Sequence, residues 1–202
     1  MTVRKQEISC AILAGGKASR MNGENKGLLQ VGEMNNLERI REICSGLFDD
    51  LMLITNEPEK FSSVAGFRIF EDIIKDRGPL SGIHSALVHS ETAAVFFLPC
   101  DMPFISRKMI EMEIDSYRSS CYDVIVPRIN EFLEPLHSIY RSGLAAEIEK
   151  HFISTQERSV RSFYSKVKIC YWDLEDNEEN KKIFFNINTH HDLTSAKKMA
   201  GE

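Results

Sequence analysis

The chain has 202 residues, with 25 basic and 30 acidic side chains and a formal net charge of −5. That length buries one good core and predicts a single domain over 1–202, while the acidic balance argues against a nucleic-acid binder, whose phosphate contacts need a basic face. Five scattered cysteines, Cys10, Cys44, Cys100, Cys121 and Cys170, never stand in C-x-x-C spacing; this sets aside a zinc site or disulfide framework and predicts a reducing, cytoplasmic setting. In chain order, "SCAILAG" (9–15) reads as a buried strand, "LERIREICSGLF" (37–48) as an amphipathic helix and "DDLMLITN" (49–56) as a second strand. "FRIFED" (67–72) is a third strand, and "GPLSGIHSALVHS" (78–90) a helix opened by Gly78 and Pro79. "AAVFFLPCD" (93–101) is almost wholly apolar, as a central parallel strand covered on both faces should be.

A helix over 106–118 and a strand "DVIVPRI" (123–129) follow. The β-α-β rhythm predicts a mostly parallel, Rossmann-like α/β sheet with right-handed crossovers. At "EPLHSIYR" (134–141) the rhythm breaks, which predicts an antiparallel strand added at the sheet edge. Helices near 143–152 and 158–165, a strand near 168–173, a solvated acidic loop "LEDNEENKK" (174–182), the segment "IFFNINT" and a closing helix from 190 complete the chain. The apolar run before the glycines is too short for a signal peptide. No run approaches the ~18 residues of a membrane span, so no membrane partner is expected.

Open parallel sheets bind ligands at the carboxyl ends of their strands. Gly15 and Gly16, Asn56, Asp72 and Asp101 all fall at such ends. In "AILAGGKASRMNGENKGL" (11–28), the two glycines let backbone N–H groups approach a ligand, and Lys17, Arg20 and Lys26 add positive charge. The spacing fits neither the phosphate-loop pattern G-x-x-x-x-G-K-[ST] nor the dinucleotide pattern G-x-G-x-x-G. An anionic ligand such as a triphosphate suits this loop; a plain surface loop with scattered cations suits it too.

In "PCDMPF" (99–104), Pro99 and Pro103 stiffen the backbone around Asp101. A carboxylate there suits Mg²⁺, which takes one or two carboxylates and otherwise keeps water and phosphate oxygens. Asp101 as a turn former or helix cap is the competing reading. Cys100 reads as a small buried hydrophobe rather than a nucleophile.

The motifs "LAGG", "RM.G..KGL", "GPLSGI", "PCDMPF", "EPLHSIY" and "FFNINT" stand in an order that resembles the molybdenum cofactor guanylyltransferase family of the nucleotidyltransferase superfamily, from about Ser9 to Leu193. The resemblance implies a three-layer α/β/α fold and transfer of GMP from GTP, with Mg²⁺, to the terminal phosphate of molybdopterin carrying molybdenum. It implies nucleotide contacts from Leu13, Ala14, Gly15, Gly16, Lys26, Asp72 and Asp101, with a looser match at Asn56. Arg20, Lys26 and Asp101 would be catalytic, Asp101 the metal ligand, and Asn186 and Asn188 would face the pterin. GTP and molybdopterin would be the partners, on a monomer or weak oligomer in transient contact with other cofactor-biosynthesis proteins.

The physical chemistry agrees with those roles. A phosphate nucleophile is already ionised near neutral pH, so catalysis needs positioning and charge compensation rather than a covalent residue. Several positions depart from the family pattern. Asn22 stands for a glycine, Asn25 for an aspartate, and "GEMNNL" (32–37) replaces a G-K-P-L segment. "NTHHDL" replaces N-T-P-E-D-L, and His190 and His191 there read as an altered helix start rather than a metal pair. The alternatives are a related enzyme using CTP or a sugar-phosphate acceptor, and a protein that binds nucleotide or cofactor without turnover.

Overall fold

The computed structural model describes residues 7–15 and 25–202. Strand β1 (Ile8–Leu13) is buried along its whole length, as an apolar run between two neighbours must be. A small hairpin follows, β2 (Gln30–Val31) with β3 (Met34–Asn35), turning through Gly32 at φ 71°. Helix α1 (Asn36–Ser45) begins with a capping box, in which Asn35 Oδ1 accepts from the Glu38 N–H and Glu38 returns a carboxylate to the Asn35 N–H. Then come β4 (Leu51–Ile54), β5 (Arg68–Phe70), α2 (Pro79–His89), β6 (Ala94–Pro99) and α3 (Arg107–Arg118). The chain continues through β7 (Val124–Ile129), β8 (Phe132–Leu133), β9 (Ser138–Arg141), α4 (Ala145–Ser154) and α5 (Val160–Phe163). It ends with β10 (Ile169–Leu174), α6 (Glu178–Ile183) and α7 (His190–Ala200).

The main sheet runs β10-β7-β9-β6-β1-β4-β5, with β8 paired to β7. Strands β5, β4, β1 and β6 are mutually parallel, as are β7 and β10. Alternation along β1 explains the layering. Cys10 and Ile12 pack toward α1 and α3, whereas Ala11 and Leu13 pack toward α2, α4 and α5. Helices therefore cover both faces of one mixed sheet.

Two expectations are corrected. The antiparallel strand is not at the edge: β9 lies between β7 and β6 and pairs antiparallel with both. Its Ile139 and Tyr140 are fully buried, and such residues belong in the middle of a sheet rather than on a solvated rim. The acidic loop is also partly helical. Asn177 caps α6, with Glu178 and Glu179 in its first turn and Lys181 and Lys182 in its last, a charge order that favours a short helix.

The inserted strand has a consequence for function. Because β9 runs against its neighbours, its amino-terminal end lies beside the carboxyl end of β6. There the hairpin from β7 bulges: Glu134 N–H still donates to Pro127 O at 3.0 Å, but the ladder resumes only at Ile139 opposite Ile125. Pro135, Leu136 and His137 are the looped-out residues, and such bulges re-aim side chains.

Candidate active site at the strand carboxyl ends

The end of β1 is spliced to its neighbours. Ala14 N–H donates to Ile54 O at 2.9 Å, and Cys100 N–H donates to Leu13 O at 3.2 Å. Leu13, Ala14 and Gly15 therefore leave the sheet between β4 and β6, going from buried to half-buried to exposed. Helix α2 starts beside them. Gly78, its cap, has φ 70°, and a Cβ there would meet Arg158 O at 2.8 Å. At Gly82 a Cβ would lie 3.0 Å from a Leu13 methyl, so the glycine lets α2 close onto β1.

Lys26 opens a 3-10 turn, Lys26–Leu28, capped by Asn25, whose Oδ1 accepts from the Gly27 N–H at 3.1 Å. Buried Asn36 donates its Nδ2 to Lys26 O at 3.0 Å, tying this turn to the start of α1. The Lys26 ammonium donates to Asp101 Oδ2 at 2.9 Å and to Asn188 Oδ1 at 2.6 Å. These three residues are far apart in sequence, and two contacts bring them together. Ile187 N–H donates to Asp101 O at 2.9 Å, and Leu29 and Val31 pack with Ile187 and Ala196 in a small core of their own. Asn188 is held in turn by Asp192, which accepts from the Asn188 and Thr189 N–H groups and closes a capping box on α7.

Asp72 and Asn56 form a second polar pair at the ends of β5 and β4. Asn56 Nδ2 donates to Asp72 Oδ2 at 2.7 Å, and Asp72 N–H donates to Asn56 Oδ1 at 3.2 Å. Burial holds the Asp72 carboxyl above its ordinary range, partly offset by the Asn56 hydrogen bond. The next residue, Ile73, donates its N–H to Ser85 Oγ on α2 at 2.8 Å, which fixes the loop over the helix.

The residues singled out in the sequence therefore divide. Lys26, Asp101 and Asn188 converge, Asn56 and Asp72 pair, and Leu13, Ala14 and Gly15 line the exit of β1. Asn186 lies apart from these, its Nδ2 donating to Phe184 O at 3.0 Å within its own loop. Gly16, Lys17 and Arg20 lie outside the described residues. Cys100 is buried, and that burial pushes its thiol up to about 12, the behaviour of an inert core cysteine. His190 and His191 form the first turn of α7.

Glu134 was not picked out for a role. The bulge sets it near Asp101, His137 and Arg161, and burial, then the Asp101 charge, pushes its carboxyl up to about 7 against the pull of His137 and Arg161. Its signal in the sequence was the break in strand rhythm at "EPLH", which marks a bulge only once β9 is known to lie beside β6. A groove of about 370 Å³ between α3, β10 and α6, floored by Met109, Met112 and Trp172, contains none of these residues.

Comparison with known proteins shows which family the chain resembles. Residues 10–170 match the family described as the MobA-like NTP transferase domain. A relative from Clostridium perfringens named "Probable molybdenum cofactor guanylyltransferase" is 35% identical, over 91% of this chain and 93% of its own length. One from Vibrio campbellii named "Molybdenum cofactor guanylyltransferase" is 30% identical over 93% of each. The crystal structure of molybdopterin-guanine dinucleotide biosynthesis protein A from Archaeoglobus fulgidus superposes with a TM-score of 0.81 at 25% identity, covering 96% of this chain and 98% of that one.

Proposed function

The chain belongs to the MobA-like NTP transferase domain family, and from that premise we propose that it transfers GMP from GTP to molybdenum-bearing molybdopterin, yielding the guanine dinucleotide form of the cofactor and pyrophosphate. The observation that carries this reading is the meeting of Lys26, Asp101 and Asn188 where β1 and β6 end. One cation and two oxygen donors at the mouth of a parallel sheet suit a polyphosphate and its counter-ion.

In the reaction, an oxygen of the acceptor's terminal phosphate bonds to the α-phosphorus of GTP. The bond from that phosphorus to the bridging β-oxygen breaks, and pyrophosphate leaves with the electron pair. The backbone from Leu13 to Gly15 lines the nucleotide beside α2, and the Asn56–Asp72 pair adds fixed polar groups on the same side. Lys26 offsets triphosphate charge and Arg20 shares that work, so that catalysis is positioning and electrostatics. Asn188 stands at the acceptor side.

We assign Asp101 as the ligand for Mg²⁺. Its carboxylate oxygen suits a hard cation, and Asp101 Oδ2 already faces a positive charge, the Lys26 ammonium. No group of three or more His, Cys, Asp or Glu that could hold a metal occurs among the described residues. In this reading the ion is held mainly by phosphate and water. When bound, such an ion supplies Lewis-acid stabilisation of charge growing on the phosphate oxygens. We place the reaction in the cytoplasm; among the described residues no helix is long and apolar enough to cross a membrane.

The test is pyrophosphate release by the purified protein with molybdenum-loaded molybdopterin and either GTP or CTP. Release with GTP, dependent on acceptor and suppressed by EDTA, is expected. Release with CTP alone, or with neither nucleotide, overturns the reading.

A further inference from the structure

Lys26 is required in two places. As a phosphate-binding group it must meet a triphosphate, yet its ammonium rests on Asp101 and Asn188 at 2.9 and 2.6 Å. Both partners offer oxygen acceptors of the kind a hard divalent cation takes. The Lys26 and Asp101 side chains are only 23% and 18% exposed, so the pair is poorly screened and each charge is costly to leave alone. A free divalent ion reaching Asp101 meets a carboxylate that is already neutralised.

We propose that Lys26 stands in for the divalent cation on Asp101 in the nucleotide-free protein, with Asn188 as the positioning residue that keeps it there, so that the metal enters as its nucleotide complex and not alone. The inference rests on the nucleotidyl-transfer reading above and deepens it.

The surroundings are built for such an exchange. The Lys26 main chain is fixed from two sides, by the Asn25 cap and by Asn36 Nδ2 on its carbonyl, which leaves the side chain as the moving part. Asn188 is fixed as firmly, its N–H held by Asp192 at 2.9 Å at the start of α7. Asp101 is pinned through its carbonyl by Ile187 N–H. Three rigid attachment points thus surround one flexible ammonium. A nucleotide brings the anion that Lys26 needs in order to leave Asp101, and in the same event the cation that Asp101 needs when Lys26 leaves. Asn188 Oδ1 is neutral and can keep one Lys26 hydrogen bond throughout, which retains the ammonium near the phosphates.

The experiment is Mn²⁺ binding followed by electron paramagnetic resonance on the full chain, without nucleotide and then with a non-hydrolysable α,β-methylene GTP. Without nucleotide, wild type should bind Mn²⁺ weakly, Lys26→Ala at least tenfold more tightly, and Asn188→Ala severalfold more tightly. Lys26→Arg, which keeps the charge, should stay near wild type, as should Lys75→Ala, a control for general surface charge. With the analogue, wild type should gain affinity and Lys26→Ala should lose its advantage. Equal affinity in wild type and Lys26→Ala without nucleotide overturns the exchange. A fall in Asn188→Ala makes Asn188 a metal ligand and overturns its role as tether. If the analogue fails to strengthen Mn²⁺ binding in wild type, the nucleotidyl-transfer reading itself is at fault.

Discussion

Two acid–base pairs beside the same sheet have opposite properties. Lys26 and Asp101, at the carboxyl ends, retain about a fifth of their exposure and share a third partner, Asn188. Glu113 on α3 and His137 in the bulge meet at 3.1 Å with no exposure at all. The imidazole sits edge-on to Phe96 and Phe184, 5.3 and 5.0 Å between ring centroids. Glu113 Oε1 and His137 Nε2 are buried without a hydrogen-bond partner among the described residues. Burial holds the Glu113 carboxyl above its ordinary range. One pair is open enough for the exchange of partner proposed above, and the other is sealed and holds the bulge to α3. Access to a replacement partner separates a working pair from a structural one, whatever the charge on either.

Breaking the working pair should have the largest effect. Asp101→Asn keeps shape and loses charge, and kcat/KM for GTP should fall by about a hundredfold or more, as when a preorganised electrostatic group is removed. The melting temperature should fall only modestly, because Asn still accepts from Lys26 although the ammonium loses its counter-charge. Activity within a few-fold of wild type would remove Asp101 from the reaction.

Breaking the sealed pair should move the opposite observable. His137→Phe leaves Glu113 buried without its partner and should cost about 1–3 kcal/mol of stability, the desolvation penalty of an orphaned group. Activity per folded molecule should hold. Denaturant melts and active-site-normalised rates separate the two, and an inactive but stable variant would erase the distinction between the pairs.

Glu134 stands between these extremes, since its carboxyl is half-buried and pushed up to about 7. The sign follows from the proton. The folded protein binds it more tightly than the unfolded chain, so the stability it lends is complete below the ordinary Glu range and is lost as pH rises toward 7. Glu134→Gln should therefore melt with wild type at pH 4 and increasingly above it at pH 8, by about 2–4 °C for each kcal/mol of relief. A constant difference across that range would show that the carboxyl does not titrate there.

Much of this was legible in the sequence, and the gaps have physical causes. Strands such as "AAVFFLPCD" announce themselves because central parallel strands are apolar on both faces. Asp101 stands out by its place after such a strand, and Asp72 by its place after β5, a partly buried edge strand. The position of β9 was not legible, because a four-residue strand with Ser138, Ile139 and Tyr140 all buried has no alternation to show which side of the sheet it joins. The acidic segment hid α6, a six-residue helix with one buried apolar residue, Ile183, whose run of charged side chains reads as solvated loop. Asn188 was singled out only through the family resemblance, and its hold on Lys26 depends on Ile187 packing against Leu29 and Val31, a contact across most of the chain.

The smallest expected effect concerns Asn25, where an aspartate would complete the family pattern. Its Oδ1 accepts from Gly27 N–H and begins the turn that carries Lys26. Aspartate offers the same oxygen, so Asn25→Asp should keep the turn and leave kcat/KM within about twofold of wild type, given that a single charge at a half-exposed position contributes little. Asn25→Ala removes the cap, worth about 1 kcal/mol, and should loosen the turn and raise the KM for GTP more than it lowers kcat. The two substitutions together isolate what the amide does. If aspartate and alanine were equally damaging, the Nδ2 donor and not the cap would be the essential part, and the charge that this position lacks would have to be supplied from elsewhere in the loop.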